Sequence, residues 1–288
     1  MQTSRYESPV TVAAAVGLMA AEPGARVLAG GTDLLVQYQA GTRRPTMFLD
    51  VKRIPELMTV AADADGLTIG AAVPAAEICA HPTIAAWYPG LVDGVRLIGS
   101  TQIQGRGSLG GNLCNGSPAA DSVCSLIVNR AVARVAGPAG QRDIPVEVFM
   151  TGPGRTALVP GELLVSLHLP KPGARTADAY QRLIPRTEMD IAVASAAVSL
   201  SLDAAGTCTA ARVAIGAVGP TPLLVPEAAA ALVGSMLDPA SLERASSAAT
   251  AAARPIDDKR GTVAYRRTVV GVLTKRVAAI AATRAKER

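Results

Sequence analysis

At 288 residues, with 49% hydrophobic content, 27 glycines and 20 prolines, the chain is long enough for two ordinary domains and has the composition of a globular protein. Its net charge of +5 is uneven: ten of the Lys and Arg residues but only three of the Asp and Glu lie from Arg254 onward, with no aromatic run among them, which argues against a nucleic-acid surface and for a solvated or partner-facing helix. No membrane span, secretory leader or Cys-x-x-Cys pair is legible, so the expectation is a cytoplasmic protein with reduced thiols, no structural zinc and no iron–sulfur cluster of its own.

Only eight residues are Phe, Trp or Tyr, so the core is expected to be built from small side chains. Thr11 is placed to cap a first helix carrying Val12, Val16 and Met19 on one face and stopping at Pro23-Gly24. A short apolar strand at 26–29 runs into Gly30-Gly31-Thr32-Asp33 and then a helical run at 34–38. Such a strand, glycine turn and helix can cradle a phosphate, because N–H groups at a helix start are unpaired and the helix dipole favours negative charge there. It can equally be a plain turn in which Thr32 or Asp33 caps the helix. A strand is expected at 47–50, a hairpin of 57–62 and 67–73 closed at Asp65-Gly66, and helices at 75–79 and 90–98. His81 sits in a turn before a proline and has no second ligand at metal spacing.

Residues 99–121, GSTQIQGRGSLGGNLCNGSPAAD, gather six glycines between two apolar runs. Glycine lets the backbone reach φ > 0 and brings N–H groups close to a partner, so a ligand is the best reason for this stretch. Within it Gly105 to Gly110 spells G-x-G-x-x-G, but no buried strand precedes it and Pro118 follows where a helix should run, so a Rossmann site is not expected. Next come a helix at 121–129 and strands at 131–136 and 163–169, with His168 as an ordinary strand residue. The polar stretch 171–178, KPGARTAD, marks a domain boundary. Beyond it, strands at 191–202 and 208–218 and helices at 227–233, 241–253 (with Ser241 as N-cap) and 262–284 read as a small antiparallel sheet with helices on one side.

Two glycine segments, VLAGGTDLL at 27–35 and GSLGGNLCNGSPAAD at 107–121, are followed in order by YQRLIPRTEMDIAVASAAVSL, VAIGAVGPTPLLVPEAAAALVG and PIDDKRGTVAYRRTVVGVLTKR. Together they resemble the FAD-binding (medium) subunits of molybdenum hydroxylases, the xanthine dehydrogenase and carbon monoxide dehydrogenase family, over nearly the whole chain. The resemblance implies an α+β fold, with a two-lobed FAD-binding domain of the vanillyl-alcohol-oxidase-like (PCMH) type over 1–174 and a small antiparallel-sheet-plus-helices domain over 175–288. FAD would lie extended between the lobes. Leu28, Ala29, Gly30, Gly31, Thr32, Asp33 and Leu34 would form one wrapping turn around its pyrophosphate, and Ser108, Gly110, Gly111 and Asn112 the second. Thr101 and Asp121 match polar FAD-contacting positions, Ile98 and Leu164 match apolar positions beside the ring, and Arg182 matches a position usually held by Lys. No catalytic or metal-ligating residue is implied.

The implied function is electron transfer within an oxidoreductase. Substrate would be hydroxylated at the molybdopterin centre of a large subunit, electrons would cross the [2Fe–2S] clusters of a small subunit, and FAD in this chain would deliver them to an external acceptor, the assembly being a dimer of heterotrimers. The sequence departs from the family's Q-I-R-N-x-A/G-T-I-G-G-N at Gln104-Gly105, where Arg-Asn is common. Two other readings follow. One is a stand-alone flavin oxidase or reductase on the same fold, although the first glycine motif lacks a histidine for covalent attachment and Cys114 is expected as a buried thiol. The other is a non-catalytic assembly module that has lost the flavin.

Overall fold

The computed structural model describes residues 4–288; residues 1–3, the start of the stretch read above for a leader, lie outside the described residues. β1 (Arg5–Glu7) leads to α1 (Val12–Ala21), where Thr11, in extended backbone, caps by accepting from the Ala14 N–H as expected. β2 (Ala25–Leu28), α2 (Leu34–Gln39) and β3 (Met47–Asp50) follow, and β3 lies parallel between β1 and β2. Met47, Leu49 and Ala25 turn one face of this three-stranded sheet into a small core with Ala15 of α1. β1, with the sequence RYE, carries no apolar alternation, which is why the sequence does not reveal it.

α3 (Pro55–Met58) takes the first residues of the expected hairpin, because Pro55 is preset for a helix start; the strand is left as β4 (Val60–Ala62). β5 (Gly66–Gly70) returns through a turn in which the Asp63 carboxylate accepts from the N–H groups of Asp65 and Gly66. Three short helices, α4 (Ala75–Ala80), α5 (Pro82–Trp87) and α6 (Pro89–Val95), precede α7 (Thr101–Gln104), α8 (Leu109–Cys114) and α9 (Val123–Val128). The lobe closes with β6 (Val132–Gly137), β7 (Gly140–Pro145), α10 (Val146–Phe149), β8 (Met150–Gly152), β9 (Arg155–Thr156) and β10 (Leu163–Pro170). Its sheet is antiparallel in the order β4-β5-β10-β6-β7, and β7 escapes a sequence reading because it is a polar edge strand with one buried residue.

β11 (Thr176–Leu183) starts inside the polar stretch 171–178 and pairs along its whole length with β12 (Ala194–Leu202). β13 (Cys208–Gly216) and β14 (Leu223–Leu224) complete an antiparallel sheet, covered by α11 (Pro226–Leu232), α12 (Pro239–Ala252) and α13 (Val263–Lys286). Asp238 caps α12, correcting the expectation for Ser241: its carboxylate accepts from the N–H groups of Ala240 and Ser241, and Pro239 fits the first helical position. Among the described residues no helix is long and apolar enough to cross a membrane.

Strand alternation joins the two halves. Ala177 and Ala179 of β11 face the helices, while Asp178, Tyr180 and Arg182 face the preceding lobe. Buried Asp178 accepts from the N–H groups of Gly90 and Leu91 at the start of α6 and from Asn129 Nδ2. Arg284 of α13 donates to both Asp93 carboxylate oxygens and to the Asp178 carbonyl. The result is an α+β architecture in which three sheets meet around short helices, and the loop after β2 comes to face the loop before α8.

Candidate FAD cleft

A cleft of about 570 Å³, within the usual range for small-molecule sites, runs between the small parallel sheet and the five-stranded one. Twelve of the sixteen residues singled out from sequence line it: Ala29, Gly30, Gly31, Thr32, Asp33, Leu34, Ile98, Ser108, Gly110, Gly111, Asn112 and Leu164. Leu28 lies in β2 beneath the first turn, its side chain toward Gly31. Thr101 and Arg182 line a second cavity, of about 640 Å³, and Asp121 is buried beside Arg182.

The two glycine turns differ in what they offer. In the first, the backbone N–H groups of Gly30, Gly31, Thr32, Asp33 and Leu34 donate to no acceptor among the described residues. Gly31 has φ +77°, which brings successive N–H groups of the turn to one side as an anion-binding nest. Lys52 Nζ holds the Ala29 carbonyl at 2.9 Å and is itself held by the Asp50 carboxylate at 2.7 Å, so the turn is pinned from behind. Asp33 occupies the position before α2 but makes no capping bond, so the plain capped turn is not what forms. Burial pushes its carboxyl up from the ordinary value, and Arg43, which has no salt bridge among the described residues, also lines the cleft. The Arg43 guanidinium adds positive charge where a phosphate would lie.

In the second turn the N–H groups of Gly110, Gly111 and Asn112 are taken, the last by the Ser108 carbonyl. Ser108 caps α8 by accepting from the Gly111 N–H at 3.1 Å, and the Gly110 N–H donates to the Ala71 carbonyl. A Cβ at Gly110 would overlap that carbonyl, and one at Gly30 would overlap the carbonyl of Arg106. Those two glycines are therefore required by packing of backbone on backbone, Gly30 by the meeting of the two turns. Gly111 is different: a Cβ there would meet only Ser108 Oγ, at 3.2 Å, and the residue is exposed on the cleft floor. Asn112 Oδ1 accepts from the Ser122 hydroxyl at 2.8 Å, leaving its NH₂ as a donor.

Ile98 and Leu164 supply a buried apolar wall. The register of β10 against β6 shifts between Leu164 and Ser166, and such a bulge re-aims a side chain at a site of this kind. Cys114 is exposed on the cleft wall, not buried as expected, yet the surrounding protein pushes its thiol up to about 12, so it is a protonated and poor nucleophile. Neither His81 nor His168 lines the cleft; His168 lies in β10 with its ring 3.3 Å from the Thr68 hydroxyl. Sequence reading missed Gln37, Asn115 and the wall at 158–163, where Gly161 has φ +84° and Glu162 is paired with Arg142. The Pro160-Gly161 dipeptide was the available signal for that turn.

Across the interface, Arg182 Nη1 donates to Asp121 at 2.6 Å and the Tyr180 hydroxyl to the other Asp121 oxygen at 3.2 Å. Burial raises the Asp121 carboxyl to about 6 despite the attraction of Arg182. The Arg182 Nε is buried without a partner among the described residues.

Residues 2–172 match the family described as FAD binding domain in molybdopterin dehydrogenase, and residues 179–281 the family described as CO dehydrogenase flavoprotein C-terminal domain. The chain is 33% identical to the carbon monoxide dehydrogenase medium chain of Afipia carboxidovorans, over 98% of this chain and 97% of that one. It is 30% identical to the xanthine dehydrogenase FAD-binding subunit of Escherichia coli O157:H7, over 94% of each. Among solved structures, a chain of the Cu,Mo-CO dehydrogenase in its cyanide-inactivated form superposes with TM-score 0.94 at 32% identity, covering 98% of both chains. A chain of quinoline 2-oxidoreductase from Pseudomonas putida 86 superposes with TM-score 0.91 at 29% identity, again covering 98% of both. Full-length matches in sequence and fold, joined to a cleft built from the two glycine turns, place this chain in the family of FAD-binding medium subunits of molybdenum hydroxylases, the xanthine dehydrogenase and CO dehydrogenase type.

Proposed function

We propose that this chain is the FAD-carrying electron-transfer subunit of a heterotrimeric molybdenum hydroxylase, taking electrons from the [2Fe–2S] clusters of a small subunit and passing them to an external acceptor. A large molybdopterin-binding subunit would hold the substrate, the whole forming a dimer of heterotrimers in the cytoplasm. The observation that carries the reading is the run of five free N–H groups from Gly30 to Leu34 facing the side-chain-free floor at Gly111. That pairing suits a pyrophosphate, which needs many donors and close backbone approach.

When bound, FAD supplies the redox chemistry of its ring, and the chain contributes placement and electrostatics. The nest and Thr32 would hold the phosphates, with the Ser108 hydroxyl and the Asn112 NH₂ opposite. Ile98 and Leu164 would cover apolar ring surface and exclude water. Thr101 and Arg182 would act from the second cavity, between the domain ending near residue 174 and the one that follows, with buried Asp121 holding Arg182 in place. No side chain in the cleft is assigned as a general base.

Purification of the co-expressed subunit tests this: the expected outcome is flavin absorbance and about one FAD released per chain on denaturation. Absence of both, or no binding on FAD titration of the apo-protein at micromolar concentration, would favour the assembly-module reading. Substrate turnover by the isolated chain would favour a stand-alone oxidase, which the protonated Cys114 and the absence of a cleft histidine do not support.

A further inference from the structure

The nest at Gly30 to Leu34 offers hydrogen-bond donors but no full charge, and the pyrophosphate proposed for it is doubly negative. The formal charges that line the cleft are few, and most are spent. Arg26 donates through Nη1 to the carbonyls of Pro23 and Ala25, at the far end of β2 from the nest. Glu162 is paired with Arg142, and Glu22 accepts from the Thr46 hydroxyl. Lys52, behind the turn, is neutralised by Asp50. Arg43 also lines the cleft, and among the described residues its guanidinium has neither a hydrogen bond nor an ion pair, not even with Asp33, the remaining acid of the lining.

Local structure keeps Arg43 at that place. α2 ends in a Schellman turn: Gly41, at φ +72°, donates its N–H to the Tyr38 carbonyl, and the Thr42 N–H returns to the Gln37 carbonyl. The same carbonyl accepts from the Thr42 hydroxyl at 3.0 Å and from the Arg43 N–H at 3.2 Å. The chain is thereby folded back along the helix, and Arg43 is tied beside Gln37, which also lines the cleft. Gln37 stands one helical turn beyond Asp33, about 6 Å along the axis, a gap that an arginine side chain spans. Arg44, the next residue, folds back on the helix end instead: its Nη2 lies 3.4 Å from where a Cβ on Gly41 would stand, and it does not line the cleft. A guanidinium held within reach of the nest with no acid to satisfy it suits a phosphate, whose oxygens match its planar fork of donors.

From this we infer that Arg43 is the counter-cation of the cleft, a binding residue that meets the pyrophosphate of the dinucleotide from the α2 side while the nest holds it through N–H groups. The inference rests on the proposed function for the identity of that ligand. The test is titration of the full-length apo-protein with FAD and with ADP, which keeps the adenosine and the diphosphate and lacks the flavin. Arg43→Gln is expected to weaken both by about five- to twentyfold, and Arg43→Lys to recover most of the loss because it keeps the charge. Arg44→Gln makes the same change in net charge one residue away and is expected to stay within about twofold of wild type, which separates a contact in the cleft from the general field of the surface. Melting temperature should be unchanged in all three variants, since both side chains are exposed. Rising salt should weaken wild-type binding more steeply than binding by Arg43→Gln. Equal FAD affinity in Arg43→Gln and wild type, or equal losses in Arg43→Gln and Arg44→Gln, overturns the inference and leaves the proposed function standing. A wild-type chain that binds ADP but not FAD, with ADP affinity lost in Arg43→Gln, refutes the proposed function and leaves Arg43 in its role; a wild-type chain that binds neither refutes both.

Discussion

Gly111→Val separates ligand binding from folding at one position. Gly111 is the third residue of α8, and its new Cβ would meet only the Ser108 hydroxyl, at 3.2 Å. A hydroxyl at that range gives way by a few tenths of an ångström; even complete loss of its cap bond costs about 1 kcal/mol. Valine improves on glycine in helix propensity by roughly 0.3–0.5 kcal/mol, which offsets part of that. The net change in stability is expected within about 1 kcal/mol, or a melting shift of no more than about 2–4 °C for a chain of this size. In the cleft, three added carbon atoms stand on the floor facing the nest. Overpacking a fitted site costs about 1–3 kcal/mol, a loss of about five- to 150-fold in affinity. The assay is FAD released after desalting, with melting measured on the same preparation. Gly30→Ala and Gly110→Ala are the controls in the opposite direction. Their Cβ atoms would overlap backbone carbonyls of Arg106 and Ala71, which cannot swing aside, so stability should fall by about 1–3 kcal/mol. Full flavin occupancy in a folded Gly111→Val chain would refute the two-turn reasoning.

The interdomain contacts carry three further expectations. Burial raises the Asp178 carboxyl to about 6, so the folded state binds its proton more tightly than the unfolded chain does. Its contribution is fully present below about pH 4 and is lost as pH rises through about 6, a change on the order of 2–3 kcal/mol. Melting followed from pH 4.5 to 7 should fall across that window, and Asp178→Asn should flatten the slope attributable to this site; an unchanged slope would refute the assignment. Arg182→Met leaves the buried Asp121 carboxylate without its guanidinium and should cost about 3–5 kcal/mol at pH 7.5, less at pH 5 where Asp121 can protonate. Urea titration checks this, and adding Asp121→Asn should recover most of the loss. Arg284→Ala removes the Asp93 pair and the bond to the Asp178 carbonyl, and should cost about 1–3 kcal/mol and speed proteolysis between the halves. Equal proteolysis rates in variant and wild type would contradict that role.

Elements with their own local signature were legible in sequence. Thr11 caps its helix as its position suggests, and strands β3, β10, β12 and β13 carry apolar runs that announce them. What was missed is polar or contingent on tertiary partners. β7 is exposed at an edge and β1 lacks alternation, so neither stands out from loop. β11 begins in a stretch that reads as a linker, because its Asp178 and Arg182 are buried only against partners on α6, α9 and the segment around Asp121. Ser241 and Asp238 are both credible caps by composition, and only the position of Pro239 and the hydrogen bonds distinguish them.

The candidate site divides along the same line. Two glycine clusters, their order and the residues around them mark a dinucleotide-type ligand and a family from sequence alone, since the need for backbone approach is written in residue type. Sequence alone treats all those glycines alike. The fold distinguishes them: at Gly30 and Gly110 carbonyls of Arg106 and Ala71 occupy the space of a side chain, whereas at Gly111 a side chain would meet only the Ser108 hydroxyl and the open cleft. It also decides that the first turn offers its N–H groups while the second has used the N–H groups of Gly110 and Gly111. Whether a donor is free, or a glycine is required by packing or by a ligand, depends on which distant segments lie within a few ångströms, and that is a property of the folded chain.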